Sequence, residues 1–121
     1  MKQIVPRSIT GVAEGSAASV LEHKFGASDP YTLGVEEEYM LLDPESFDLV
    51  QHIEMVLDAI QGDELADRLN AELMQSVLEI ATPVCRTAGD VMRELATLRG
   101  YVRDVARGQD LRVGAAGTHP R

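Results

Sequence analysis

The sequence predicts an α+β domain, a largely antiparallel sheet with helices on one face. Three observations carry that expectation. Residues 31–42 are strand-like in their β-branched and aromatic content, residues 53–60 and 88–107 repeat apolar side chains at helical spacing, and the order hairpin, helix, strand, helix, strand contains no internal repeat.

Pro6, Gly11, Gly15, Ser16, Ser19, Gly26, Ser28 and Pro30 punctuate the first thirty residues, so residues 1–29 read as a flexible tail, with only 17–25 able to form a short helix. Lys2 and Arg7 precede no apolar core, which argues against a signal peptide. The ordered domain is expected over residues 30–121. A strand over 31–42 comes first. Asp43-Pro44-Glu45-Ser46-Phe47-Asp48 then makes a turn, in which proline pre-sets φ and aspartate bonds its own backbone, and a short return strand near Leu49 and Val50 completes a hairpin.

Ile53, Val56, Leu57 and Ile60 fall at i, i+3, i+4 and i+7, one buried helix face that stops near Gly62. Residues 70–82 are helical by propensity in part, yet Ile80-Ala81-Thr82 before Pro83 reads as extended, and one strand is expected there. Gln75 would then share a face with Glu79. The clearest helix is 88–107. Val91, Leu95, Leu98, Val102 and Val105 form its seam, Thr87 its N-cap with Asp90 closing a capping box, and Gly108 its stop. Residues 111–116 close the sheet, and a strand with nothing after it to cover it suggests the front part of a longer protein.

Composition narrows the function. The 121 residues carry a net charge of −9, and between Glu36 and Glu79 thirteen acidic residues face the single basic Arg68. A nucleic-acid partner is therefore not expected, because phosphate backbones require Lys and Arg. Cations, or substrates presented with cations, suit this charge better. Asp58, Asp63, Glu64 and Asp67 read as solvated surface. No stretch of 18 apolar residues is present, so no membrane partner is expected, and the single Cys85 excludes an internal disulfide and points to a reducing, cytoplasmic setting.

The most informative run is Thr32-Leu33-Gly34-Val35-Glu36-Glu37-Glu38. In an extended backbone Glu36 and Glu38 point one way and Glu37 the other, with the outer pair roughly 6.5–7 Å apart at Cα. Two carboxylates at that spacing repel unless they share a divalent cation, and Mg²⁺ suits them as a hard ion that keeps positions for water and phosphate. A solvated strand edge is the plainer alternative, and the pattern alone leaves both open. Glu79 lies among Val77, Leu78, Ile80 and Ala81, where an ionised carboxylate needs a partner or a metal. Glu37 reads as surface or a salt-bridge partner, Cys85 as a small apolar filler, and His23 and His52 have no ligand spacing.

Three segments, Thr32 to Glu38, Glu72-Leu73-Met74-Gln75-Ser76 through Glu79-Ile80-Ala81-Thr82-Pro83-Val84-Cys85, and Ala115-Ala116-Gly117-Thr118-His119-Pro120, together resemble the carboxylate-amine ligase family, the type 2 glutamate-cysteine ligases, in their amino-terminal portion. That resemblance implies a glutamine-synthetase-like partial domain and an ATP-dependent enzyme that forms an amide through an acyl phosphate. It implies ATP and Mg²⁺ as cofactors, with Glu36, Glu38 and Glu79 as the metal ligands that anchor the nucleotide, and amino acid carboxylate and amine substrates as partners. Gln75, Arg86 and His119 are the candidate substrate contacts, although a buried hydrogen-bonding Gln, a surface Arg and a loose terminal His are equally ordinary readings. Phe47 stands where the family usually has glycine, and Arg121 where an apolar or aromatic residue is expected. The competing expectation is a truncated, non-catalytic domain that associates with itself or a partner, and a homo-oligomer fits either.

Overall fold

The structure, a computed structural model, describes Gly26 and residues 29–120. The tail expected over 1–29 falls almost entirely outside these residues, as do the short helix at 17–25 and Arg121. The described chain forms β1 (Glu36–Leu42), α1 (Ile53–Ala59), β2 (Leu69–Ala71), β3 (Val77–Ala81), α2 (Ala88–Gly108) and β4 (Arg112–Gly114), with a short 3₁₀ turn at Ala66–Arg68. The four strands make one antiparallel sheet in the order β2-β3-β1-β4. The α+β expectation holds.

Alternation sorts the side chains onto two faces. Tyr39 and Leu41 of β1, Leu78 and Ile80 of β3 and Leu69 of β2 are buried in one cluster with Val56 of α1, with Ile60 at its C-cap, and with Leu95, Leu98 and Val102 of α2. Both helices therefore cover the same face of the sheet. The opposite face carries Glu36, Glu38 and Met40 from β1, and Val77 and Glu79 from β3. Leu41, Leu78, Ile80, Leu98, Val56 and Val102 are under 2 % exposed, and they fix the sheet against α2.

Four expectations need correction. The strand expected over 31–42 spans only Glu36–Leu42, with Leu33 in an isolated bridge to Cys85. The return strand near Leu49 and Val50 is only an isolated bridge from Leu42 to Leu49, reinforced by Val50 N–H donating to the Leu41 carbonyl at 3.0 Å. The Asp43 turn itself forms, its carboxylate accepting from the N–H groups of Glu45 and Ser46. Phe47 takes φ 59° there, in the left-handed region that glycine occupies without cost. The single strand over 70–82 is instead a hairpin, β2 and β3 joined through Glu72–Ser76. The connection is held by distant elements: Leu41 N–H donates to the Ser76 carbonyl, continuing the β1–β3 ladder by one pair, and Ile53 N–H donates to the Gln75 carbonyl.

The last strand is shorter than 111–116, spanning only Arg112–Gly114. The helix α2 ends at Gly108, the stop the sequence offers, with Gln109 as its C-cap. Asp110 takes φ 56°, and its N–H and that of Leu111 donate to the carbonyls of Arg107 and Ala106, a Schellman ending without glycine. The start of α2 is as expected. Thr87 Oγ1 accepts from Asp90 N–H at 3.1 Å, and the Asp90 carboxylate accepts from Thr87 N–H at 2.9 Å.

Candidate metal-binding face

The two acid-bearing segments meet by strand pairing. In the β1–β3 ladder Glu38 lies directly opposite Glu79, and Glu36 opposite Ala81. Beyond the ladder Val35 and Thr82 hold each other, Val35 N–H donating to Thr82 Oγ1 at 3.0 Å and Thr82 N–H to the Val35 carbonyl at 2.9 Å. Leu33 and Cys85 then exchange two 2.8 Å backbone bonds. Residues 33–38 are thus fastened along their length to 79–85, and the register puts Glu36, Glu38 and Glu79 on the same open face.

A fourth acid completes the cluster. Carboxylate oxygens of Glu38, Glu72 and Glu79 lie within 4.8 Å of one another, while Glu36, one pleat further along β1, is outside that trio. Glu72 leaves the end of β2 and comes over the open face. Its carboxyl, within hydrogen-bonding reach, raises the Glu79 pKa from its usual 4.5, with desolvation and the charges of Glu36, Glu72 and Glu38 adding to the rise. The face therefore concentrates negative charge until one carboxyl holds its proton more tightly. Three hard oxygen donors of this kind fit Mg²⁺ or another hard divalent cation, which would relieve the repulsion.

Glu72 escaped the sequence reading because parity in a single strand puts residue 72 opposite to residue 79. The hairpin breaks that parity, since the chain reverses between them. The same reversal moves Gln75 off the Glu79 strand into the connecting turn, where it is exposed.

Beside the acids lies a groove of about 1030 Å³ whose lining includes Glu38, Met40, Met74, Ser76, Arg99 and His119. It follows β1 where β4 stops: the β1–β4 register covers only Met40 to Leu42, leaving residues 36–39 without a strand on that side. Ala115 to His119 pass along the groove as they leave β4, so the third sequence segment converges on the first two. His119 is half-buried there, a ring nitrogen 2.9 Å from the Phe47 carbonyl oxygen. Arg86 does not line the groove; it pairs with Asp29 at 2.9 Å, both exposed.

On the helix side of β1, Glu37 is the salt-bridge partner that its alternation allows. Arg99 of α2 donates through Nε at 2.9 Å and through Nη2 to the two Glu37 oxygens, and Tyr39 Oη donates to the same carboxylate at 2.5 Å. Arg99 holds the Glu37 carboxyl below its usual value, while burial and then Glu37 push the Tyr39 phenol up. Cys85 is buried, its thiol directed to the Pro83 carbonyl. Asp58, Asp63, Glu64 and Asp67 are exposed as expected, with Asp63 also accepting from Tyr101 Oη at 2.6 Å. Among the described residues no helix is long and apolar enough to cross a membrane.

Comparison with known proteins agrees with the convergence of the three segments. The family model described as "Glutamate-cysteine ligase family 2 (GCS2)" matches residues 32–121. A protein of Herpetosiphon aurantiacus named "Putative glutamate--cysteine ligase 2" is 42% identical over 91 residues, covering 75% of this chain and 23% of the relative. Two proteins of Rubrobacter xylanophilus, named "Putative glutamate--cysteine ligase 2-1" and "2-3", are 46% and 43% identical over 100 residues, each covering 83% of this chain and 26% and 28% of the relative. The chain spans about a quarter of the length of these curated relatives.

Proposed function

Since the chain belongs to glutamate-cysteine ligase family 2, we propose that it supplies one wall of the Mg²⁺-ATP site of an ATP-dependent carboxylate-amine ligase of the glutamate–cysteine type. The observation that carries this reading is Glu38 standing opposite Glu79, with Glu72 brought beside them. These three carboxylates would hold the ion, with Glu36 on the same face beside them. When bound with ATP, Mg²⁺ held by these carboxylates would offset the negative charge that develops in phosphoryl transfer.

In the proposed reaction the γ-carboxylate of glutamate accepts a phosphoryl group, and the cysteine amine then displaces phosphate to leave an amide. This chain's residues orient and anchor. The acidic face fixes the nucleotide, the groove along β1 receives the small-molecule substrates, and His119 and the neighbourhood of Gln75 contact them from its margin. A cytoplasmic setting suits that chemistry. Because the relatives are about three times as long, the remaining site groups are assigned to sequence outside this chain, and the 121 residues alone are expected to bind Mg²⁺ without turning over substrate.

Isothermal titration with Mg²⁺, and then with ATP in its presence, tests the reading. Binding that is lost in Glu79→Gln and weakened in Glu36→Gln supports it. No Mg²⁺ binding by the unaltered chain overturns it, and ADP release from glutamate and cysteine by the isolated chain overturns the division of labour.

A further inference from the structure

The segment that carries Glu36 and Glu38 is supported unevenly. On one side it has the full β3 ladder, Glu36 to Met40 opposite Ala81 to Val77. On the other, pairing with β4 begins only at Met40, and the stretch from Glu37 to Tyr39 borders the groove. A strand held along one edge can twist and re-aim its side chains, so a carboxylate pair on such a strand needs a second constraint.

That constraint is present on the opposite face. Glu37 lies between the two acids in sequence and points toward α2. There Arg99 engages both of its oxygens in a fork, and Tyr39, the next residue on the same face, donates a third hydrogen bond. The Glu37 side chain is 22% exposed, against 53% for Arg99, so the anion rather than the guanidinium is drawn inward. A bidentate guanidinium–carboxylate pair fixes an angle as well as a distance. Arg99 is anchored by a helix whose neighbouring Leu98 and Val102 are each 1% exposed in the core.

We infer that Arg99, acting through Glu37 and Tyr39, is a positioning residue that sets the pleat of β1 and thereby the aim of the Glu36 and Glu38 carboxylates on the other face. The inference rests on the metal reading above. It makes a prediction of opposite sign to simple electrostatics. Arg99 is a cation near an acidic cluster, so by through-space charge alone its removal leaves the cluster more negative and tightens cation binding. If its role is to hold the ligands in place, removal loosens binding, because outer contacts of this kind commonly change metal affinity by on the order of tenfold or more.

Mn²⁺ affinity, read by electron paramagnetic resonance well below Tm, separates the cases. Arg99→Ala removes charge and fork together; Arg99→Lys keeps the charge and loses the fork; Tyr39→Phe removes only the phenolic donor. The expected result is Mn²⁺ binding weakened about tenfold in Arg99→Ala, weakened also in Arg99→Lys despite the retained charge, and weakened to a smaller degree in Tyr39→Phe. A role in stability alone lowers Tm and leaves the affinity of the folded protein unchanged. Unchanged or tighter Mn²⁺ binding in both Arg99 variants overturns the inference while leaving the metal face standing. No Mn²⁺ binding by the unaltered chain removes the metal face, and the inference with it.

Discussion

Glu38 and Glu79 occupy directly opposed positions in an antiparallel ladder, two like charges where a sheet normally puts complementary or apolar partners. The arrangement costs stability and is retained across a well-packed sheet.

The cost is measurable through pH. The Glu79 pKa is raised in the folded state, so folding gains stability from the held proton fully below the unfolded value of 4.5 and loses it as pH rises through the raised value. Glu79→Gln removes the repelled charge. At neutral pH it is expected to be more stable than the parent by about 0.2–1 kcal/mol, with the advantage shrinking as pH falls toward 4.5. Urea denaturation of both proteins across that range, with and without Mg²⁺, measures it; Mg²⁺ should close the gap by stabilising the parent alone.

Phe47 offers a second test. Its left-handed φ of 59° carries a cost of roughly 1–2 kcal/mol for a residue with a Cβ. Its ring is exposed and contributes only a stacking contact with Arg112, whose guanidinium carbon is 6.0 Å from the ring centroid, near the limit for such contacts. Phe47→Gly is therefore expected to raise Tm slightly, and Phe47→Val, with a β-branched side chain in the same conformation, to lower it.

The α2 cap should respond to loss of its hydroxyl. Thr87→Ala removes the acceptor for Asp90 N–H and leaves the Asp90 carboxylate with one partner fewer, so a loss of about 1 kcal/mol is expected in chemical denaturation. Thr87→Ser keeps the oxygen and should remain near the parent value.

Cys85 is 3% exposed and lies inside the Leu33–Cys85 bridge. Its thiol is expected to resist a disulfide exchange reagent in the native protein and to react fully in denaturant, followed by the release of the coloured thiolate. Rapid reaction under native conditions would mean that the segment fastening 33–38 to 79–85 opens readily.

How far each element was legible follows from the range of the interactions that make it. The seam of α2, its Thr87–Asp90 box and the alternation that separates Glu37 from Glu36 and Glu38 are local, and the sequence alone determined them. The three segments whose family the comparisons identify are likewise read from the sequence alone. Only the tertiary structure decided that residues 70–82 fold back on themselves, because hydrogen bonds from Leu41 and Ile53 capture the Ser76 and Gln75 carbonyls from elements distant in sequence. It likewise decided that the turn closing α2 is taken by a left-handed Asp110, that Glu72 joins Glu38 and Glu79, and that Arg99 crosses to Glu37. Those outcomes depend on cross-strand register and helix placement, which local propensity does not encode.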